Sequence, residues 1–223
     1  MFPTELINEG ADLLEIEPSV LKAVISIESD GEPFLSPGAK TPLGLDISGF
    51  PVVQFEGHVF WKELSSLKSP DLLPGSVLTY PSKYMDPFGK PLRGELVLEI
   101  LYPKFTLKYV KRPKAEWDQL LRARCIHETA ANRSASWGAF QILGKNHSAC
   151  ACRTIQEFMD KMTTLPGQLD IFISFIKSDK RLWNSLKTKN WTAFARGYNG
   201  TKYYINKYDK KMKAEYDKIN KNI

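Results

Sequence analysis

Residues 19–28, Ser-Val-Leu-Lys-Ala-Val-Ile-Ser-Ile-Glu, place an acid in the middle of an apolar helix face, and any fold of the chain must accommodate it. At 3.6 residues per turn, Val20, Leu21, Val24, Ile25 and Ile27 fill an arc of roughly 160° with Glu28 near its centre. Ser19, Lys22, Ala23 and Ser26 take the opposite side. A stripe of this width predicts a helix buried against other elements, and Glu28 is drawn in with it. A carboxyl turned toward a core is costly unless paired, and apolar surroundings raise its pKa toward the range useful for proton donation. Two readings follow from the helix alone: a general acid, or an acid on the last turn that reaches past the core to solvent or a counter-ion.

The rest of the chain supplies the core that this helix needs. At 223 residues, 43% hydrophobic and 12% aromatic, it can bury one good core, and its length suits one domain spanning 1–223. Eleven of the 14 prolines fall between Pro33 and Pro113, which predicts loops and short strands there, flanked by helices. Within that span, residues 96–102 and 105–111 have the partial alternation of a hairpin, held to an edge by Pro103. Thr154-Ile-Gln-Glu157 reads as a capping box opening a helix with Phe158, Met159 and Met162 inward. Leu169, Phe172, Ile173 and Ile176 form the next apolar stripe. The predicted class is α+β, predominantly α-helical, with a small β/loop-rich insertion at about 33–113. No Gly/Ser linker or separate repeat module is seen.

Charge and cysteine usage narrow the partners. A net charge of +6 and a pI of about 9.1 suggest an anionic partner, yet no nucleic-acid motif accompanies them. The basic residues gather in 206–223, where Ile205, Tyr208, Met212, Tyr216 and Ile219 share one helical face and most lysines the other. This predicts a terminal helix docked on the core with a solvated basic face, which is also suited to an anionic surface. The N-terminus shows no basic region followed by an apolar one, and no run approaches a membrane span, so synthesis in the cytoplasm is expected. Cys125, Cys150 and Cys152 are expected to be reduced thiols. The alternative is a zinc site with His147, whose spacing is irregular. His127-Glu128 begins like a His-Glu-x-x-His zinc peptidase motif but lacks the second histidine.

Three segments taken together resemble the lysozyme-like glycan-cleaving enzymes, which include goose-type lysozymes and lytic transglycosylases. They are Glu28-Ser-Asp-Gly31, Ser134-Ala-Ser-Trp-Gly-Ala-Phe-Gln-Ile-Leu-Gly144 and Phe194-Ala-Arg-Gly-Tyr-Asn-Gly200. Phe55-Glu-Gly-His-Val-Phe-Trp61, Gly144-Lys-Asn-His147, the run from Trp191 to Gly200, and Tyr208-Asp209 extend the match. With these the chain resembles the phage-type N-acetylmuramidase endolysins over nearly its whole length, departing between about residues 66 and 114.

That resemblance implies a lysozyme-like fold and cleavage of the β-1,4 bond after N-acetylmuramic acid in peptidoglycan, with no cofactor and no metal. It implies Glu28 as general acid acting through an oxocarbenium-like transition state. Glu56 ranks first as second carboxylate, ahead of Asp46 and Asp30; a structural acid bonded to loop amides is the other reading of Glu56. If no second carboxylate serves, the sugar's acetamido group or its own hydroxyl acts instead, the latter giving a lytic transglycosylase. Ser136 and Gln141 are expected to face the sugar acetamide or peptide stem, Trp137 and Tyr198 to offer flat faces to pyranose rings, with core packing the other reading of Trp137, and Asn199 to orient substrate or water. Trp191 and Phe194 are expected in the core. Peptidoglycan is the expected partner, with anionic outer-membrane lipid a second one for the basic tail; a monomer is expected, released to the wall through a phage-coded, holin-type pore. The rival from another class is a silent peptidoglycan-binding module of a phage particle.

Overall fold

Helices dominate because their apolar stripes are long and well bounded. The structure, a computed structural model, describes residues 2–42, 44–66 and 113–221; the predicted hairpin at 96–111 lies outside them. The chain groups into two compact units, each assembled from separate stretches: Met1–Pro33 with Gly138–Ile142 and Ser148–Ile223, and Phe34–Trp137 with Leu143–His147. The α+β class with few, short strands is as expected.

The first unit is helical. Helix α1 (Thr4–Leu14) stops at Glu15, which turns left-handed at φ 55°, and Pro18 at the first helical position starts α2 (Pro18–Ser29). Val20, Leu21, Val24 and Ile25 of α2 are buried, as the stripe predicts. Ser19 and Ala23 are buried as well, contrary to their assignment to an open side. The reason is a second neighbour: both α1 and the C-terminal helix pack on α2, which leaves it little free circumference. Helices α5 (Ile155–Met162), α6 (Leu165–Ser178), α7 (Lys180–Lys187) and α8 (Trp191–Tyr198) each begin on a side-chain cap, Thr154, Thr164, Asp179 and Asn190 in turn. The expected box at Thr154 forms by half: Thr154 Oγ1 accepts from Glu157 N at 3.1 Å, but the Glu157 carboxylate accepts from Arg153 N instead. Phe158 and Met162 are buried; Leu169, Phe172, Ile173 and Ile176 are too.

The C-terminal helix α9 (Tyr208–Lys221) docks as expected. Met212 is fully buried, the Tyr216 ring lies 5.6 Å from that of Trp191, and its hydroxyl donates to Glu17 Oε2. Ile205 does not join this face: it precedes the helix, beyond a left-handed Lys207, and is 62% exposed. No helix among the described residues is long and apolar enough to cross a membrane.

The second unit holds the sheet. Residues 34–42 and 44–52 form loops with isolated antiparallel bridges Phe34↔Pro51 and Lys40↔Asp46, in keeping with their prolines. Strand β1 (Val53–Phe55) pairs antiparallel with β2 (Ala135–Trp137) in the register Val53↔Trp137, Gln54↔Ser136, Phe55↔Ala135. The short β3 (Ile142–Leu143), where the chain re-enters this unit, completes the order β1-β2-β3. Helices α3 (Gly57–Ser66) and α4 (Pro113–Arg133) cover the core around Phe60, Leu64, Trp117 and Trp137. The turn Gly144–Asn146 presses so closely on the end of α4 that a Cβ at Gly144 would stand 2.2 Å from Asn132 O. Backbone cannot retreat as a side chain can, so glycine is required there.

Helix α4 is interrupted at His127, whose backbone is extended (φ −160°, ψ 102°) and whose Nδ1 accepts from Ala130 N at 3.1 Å. The imidazole thus caps the final segment of the helix in the way an Asn or Ser would. This places the solitary His-Glu pair in structure. His127→Ala is expected to cost about 1 kcal/mol in urea unfolding and His127→Asn to restore most of it; equal stability of all three proteins would remove the capping role.

Candidate active site

Glu28 stands in the last turn of α2, half-buried, just before Asp30 ends the helix in a left-handed C-cap. Its Oε1 accepts a hydrogen bond from Asn199 Nδ2 at 2.8 Å. Asn199 is brought there by the end of α8: its N–H donates to Ala195 O at 2.9 Å, and Gly200 turns the chain away at φ +82°. The preceding residue, Tyr198, is anchored at its hydroxyl and its ring. Its hydroxyl donates to Phe140 O at 2.5 Å, one ring face stacks on Phe194 at 5.2 Å, and the edges of Phe172 and Phe175 close on it. Burial first, and then the negative charge of Glu28, push the Tyr198 phenol well above its ordinary range, so it remains a neutral donor. Tyr198 thereby fixes α8 to the loop 138–141.

That loop is held from below by a residue the sequence reading passed over. Gln168 is completely buried; its Oε1 accepts from Ala139 N at 2.8 Å, and its Nε2 donates to Met162 O at 3.0 Å. Gly138 adopts φ +68°, and a Cβ there would lie 2.6 Å from Gln168 Oε1. Gln141 is also left-handed (φ 49°) and donates from Nε2 to Gly138 O at 2.8 Å. Phe140, between them, stacks on Phe172 at 4.1 Å. Gln168 lies one turn before Phe172 on the apolar stripe of α6. A lone amide at that spacing was the available signal, because a buried amide must find partners.

In the second unit, Glu56 immediately precedes α3, half-buried. Its Oε1 accepts from Gln54 Nε2 at 2.9 Å and its Oε2 lies 3.5 Å from His58 Nδ1. Gln54 faces Ser136 across the sheet, and Glu56 N donates to Ser134 O, so Glu56 and Ser136 belong to one neighbourhood. Among the described residues, the Glu56 carboxylate meets the side chains of Gln54 and His58. Asp46 is otherwise employed: its carboxylate accepts from Ser48 N at 2.8 Å, and hydrogen bonding by Ser48 lowers its pKa. Asp30 is the exposed C-cap of α2.

Trp137 requires a correction. It has no exposed surface, its Nε1 donates to Asn132 O at 3.0 Å, and its ring meets Trp117 edge-on at 5.8 Å beneath the Arg124 guanidinium. It is a core residue with no face left for a pyranose. The period-two alternation that turns Ser136 outward turns Trp137 in. Trp191 and Phe194 are buried as expected.

The three cysteines form no disulfide among the described residues. Burial pushes Cys150 up to about 12 and raises Cys152. Among the described residues, no group of three or more His, Cys, Asp or Glu side chains is arranged to hold a metal.

The model of the family described as Muramidase, N-acetylmuramidase, matches residues 17–220. Among solved structures, the crystal structure of the Burkholderia AP3 phage endolysin superimposes with a TM-score of 0.68 at 26% identity, covering 99% of this chain and 72% of that one. No curated protein matches the sequence. The family match runs from the residue that caps the Glu28 helix to the end of the helix docked upon it, and the chain belongs to the N-acetylmuramidase family of glycoside hydrolases.

Proposed function

We propose that this muramidase is an endolysin that cleaves the β-1,4 bond between N-acetylmuramic acid and N-acetylglucosamine, with Glu28 as its general acid. The observation that carries the reading is the half-buried Glu28 carboxyl held by Asn199 at the end of an otherwise apolar helix. In the step proposed, the Glu28 O–H bond breaks as its proton passes to the glycosidic oxygen. The C1–O electron pair leaves with that oxygen, and water adds to the oxocarbenium-like C1, passing its proton to a base while Glu28 regains one from solvent. Gln141 and Asn199 supply amide groups suited to the substrate's acetamido and peptide functions; Ser136 and Glu56 are probed by their own substitutions, Glu56 as the base or nucleophile. The exposed lysines of α9 favour an anionic partner, wall polymer or outer-membrane lipid. Release to the wall through a phage-coded pore follows from the endolysin reading.

Mass spectrometry of the soluble products from purified peptidoglycan tests the reaction class. Reducing N-acetylmuramic ends are expected. Products ending in 1,6-anhydro-muramic acid would make the protein a lytic transglycosylase, and uncut glycan would return it to a binding module.

A further inference from the structure

Asn199 presents two polar atoms to the interior, and only one of them is satisfied. Nδ2 donates to Glu28 Oε1, whereas Oδ1 is buried with no hydrogen-bond partner. A buried carbonyl left so is costly and calls for an explanation. Turning the amide over would set Oδ1 against Glu28 Oε1, acceptor against acceptor whenever that oxygen carries no proton. The surroundings hold the residue itself in place: the α8 C-terminus, the left-handed Gly200 and the Tyr198 hydroxyl on Phe140 O leave it little freedom to move.

An amide N–H can only donate. The oxygen it meets is therefore an acceptor, and in the neutral acid the carbonyl oxygen is the better acceptor, which favours the transferable proton on the other oxygen. As that proton departs, Glu28 becomes a carboxylate, and the same bond becomes charge-assisted and stronger. An interaction that grows along the reaction coordinate accelerates the step, whereas one equally strong before and after does not. Building on the reading of Glu28 as the acid, we propose that Asn199 is its positioning residue: it fixes Oε1 as acceptor, keeps the proton on Oε2 and stabilises the carboxylate that proton transfer creates.

Tyr198, from α8, is a titratable neighbour electrostatically linked to Glu28, with Cys150 beyond it; burial raises the pKa of both. Asp30 follows on α2 itself, exposed. The charged contacts near the start of α2, Glu15 with Lys187 at the end of α7 and Glu17 with Lys189 beyond α7 and Tyr216 of α9, lie about three turns away from Glu28.

The test is the pH dependence of kcat/KM on a soluble glycan-strand substrate for wild type, Asn199→Ala and the near-isosteric Asn199→Asp. Losing a donor to the carboxylate, or gaining a like charge beside it, raises the acid's pKa. The acid then stays protonated to higher pH, so the alkaline limb is expected to move up by about one unit in both variants. At the optimum, kcat is expected to fall by about tenfold with KM nearly unchanged. A limb that stays at the wild-type position in a folded variant, or a change confined to KM, would overturn the proposal and make Asn199 a substrate contact. If Asn199→Ala does not fold, the aspartate variant and a ¹³C NMR titration of its Glu28 carboxyl decide the matter alone. Full activity in Glu28→Gln would instead remove the reading on which the proposal rests, an outcome these profiles do not mimic.

Discussion

Glu28→Gln is expected to lower kcat on purified peptidoglycan by about 10²–10⁴-fold, the usual contribution of a positioned general acid, while wall binding is unchanged. Glutamine has the size of the glutamic acid it replaces, and its carbonyl can still accept from Asn199 Nδ2. Helix α2, buried along Val20, Leu21, Ala23 and Val24, loses no packing atom. What disappears is the proton. Turnover measured beside a pull-down on insoluble wall separates the possibilities. A variant that binds and does not cut meets the expectation, one that neither binds nor holds its fold points to a structural acid, and one that cuts at the wild-type rate ends the assignment. The companion Glu56→Gln distinguishes a second carboxylate, whose loss is also severe, from a residue that merely holds Gln54 and His58.

Trp137→Ala is expected to destabilise the protein by about 3–5 kcal/mol, the range for emptying a buried aromatic site. That is a large part of the roughly 5–15 kcal/mol by which a domain is stable. The estimate follows from a ring with no exposed surface, an edge-on contact with Trp117, the Arg124 guanidinium overhead and an indole N–H spent on Asn132 O. Arg124 Nε also donates to the Asn132 side chain at 2.7 Å, so removing the indole leaves a buried polar cluster partly unpaired. Trp137→Phe should recover part of the loss through volume and none through the hydrogen bond. Urea denaturation measures both. A Trp137→Ala protein with wild-type stability and a raised KM would restore the sugar-stacking role that burial argues against.

How far the sequence could be read depended on whether a residue's role is local. The stripe of α2, the inward faces of α5 and α6, and the docking of α9 were legible because apolar spacing at the helical period reports a buried face directly. The partner of that face is not encoded in the same pattern. Ser19 and Ala23 look solvent-facing until α9 covers them, and Ile205 looks helical until the left-handed Lys207 separates it from Tyr208. Gln168 carried a signal, an amide on an apolar stripe, but its partners Ala139 and Met162 come from elsewhere in the chain.

From the sequence by itself came the helical class, the acid on its apolar helix and the three glycan-cleaving motifs, since each is written in neighbouring residues. Tertiary structure alone decided which members of those motifs are buried and which come to stand beside Glu28 or Glu56. Trp137 and Ser136 are adjacent, yet strand alternation sends one to the core and leaves the other facing Gln54. Asn199 stands 171 positions from Glu28 and becomes its donor only because α8 ends where Tyr198 can reach Phe140 O. Hydrogen bonds over such separations are selected by packing, after the backbone has closed the distance, and no local pattern can specify them.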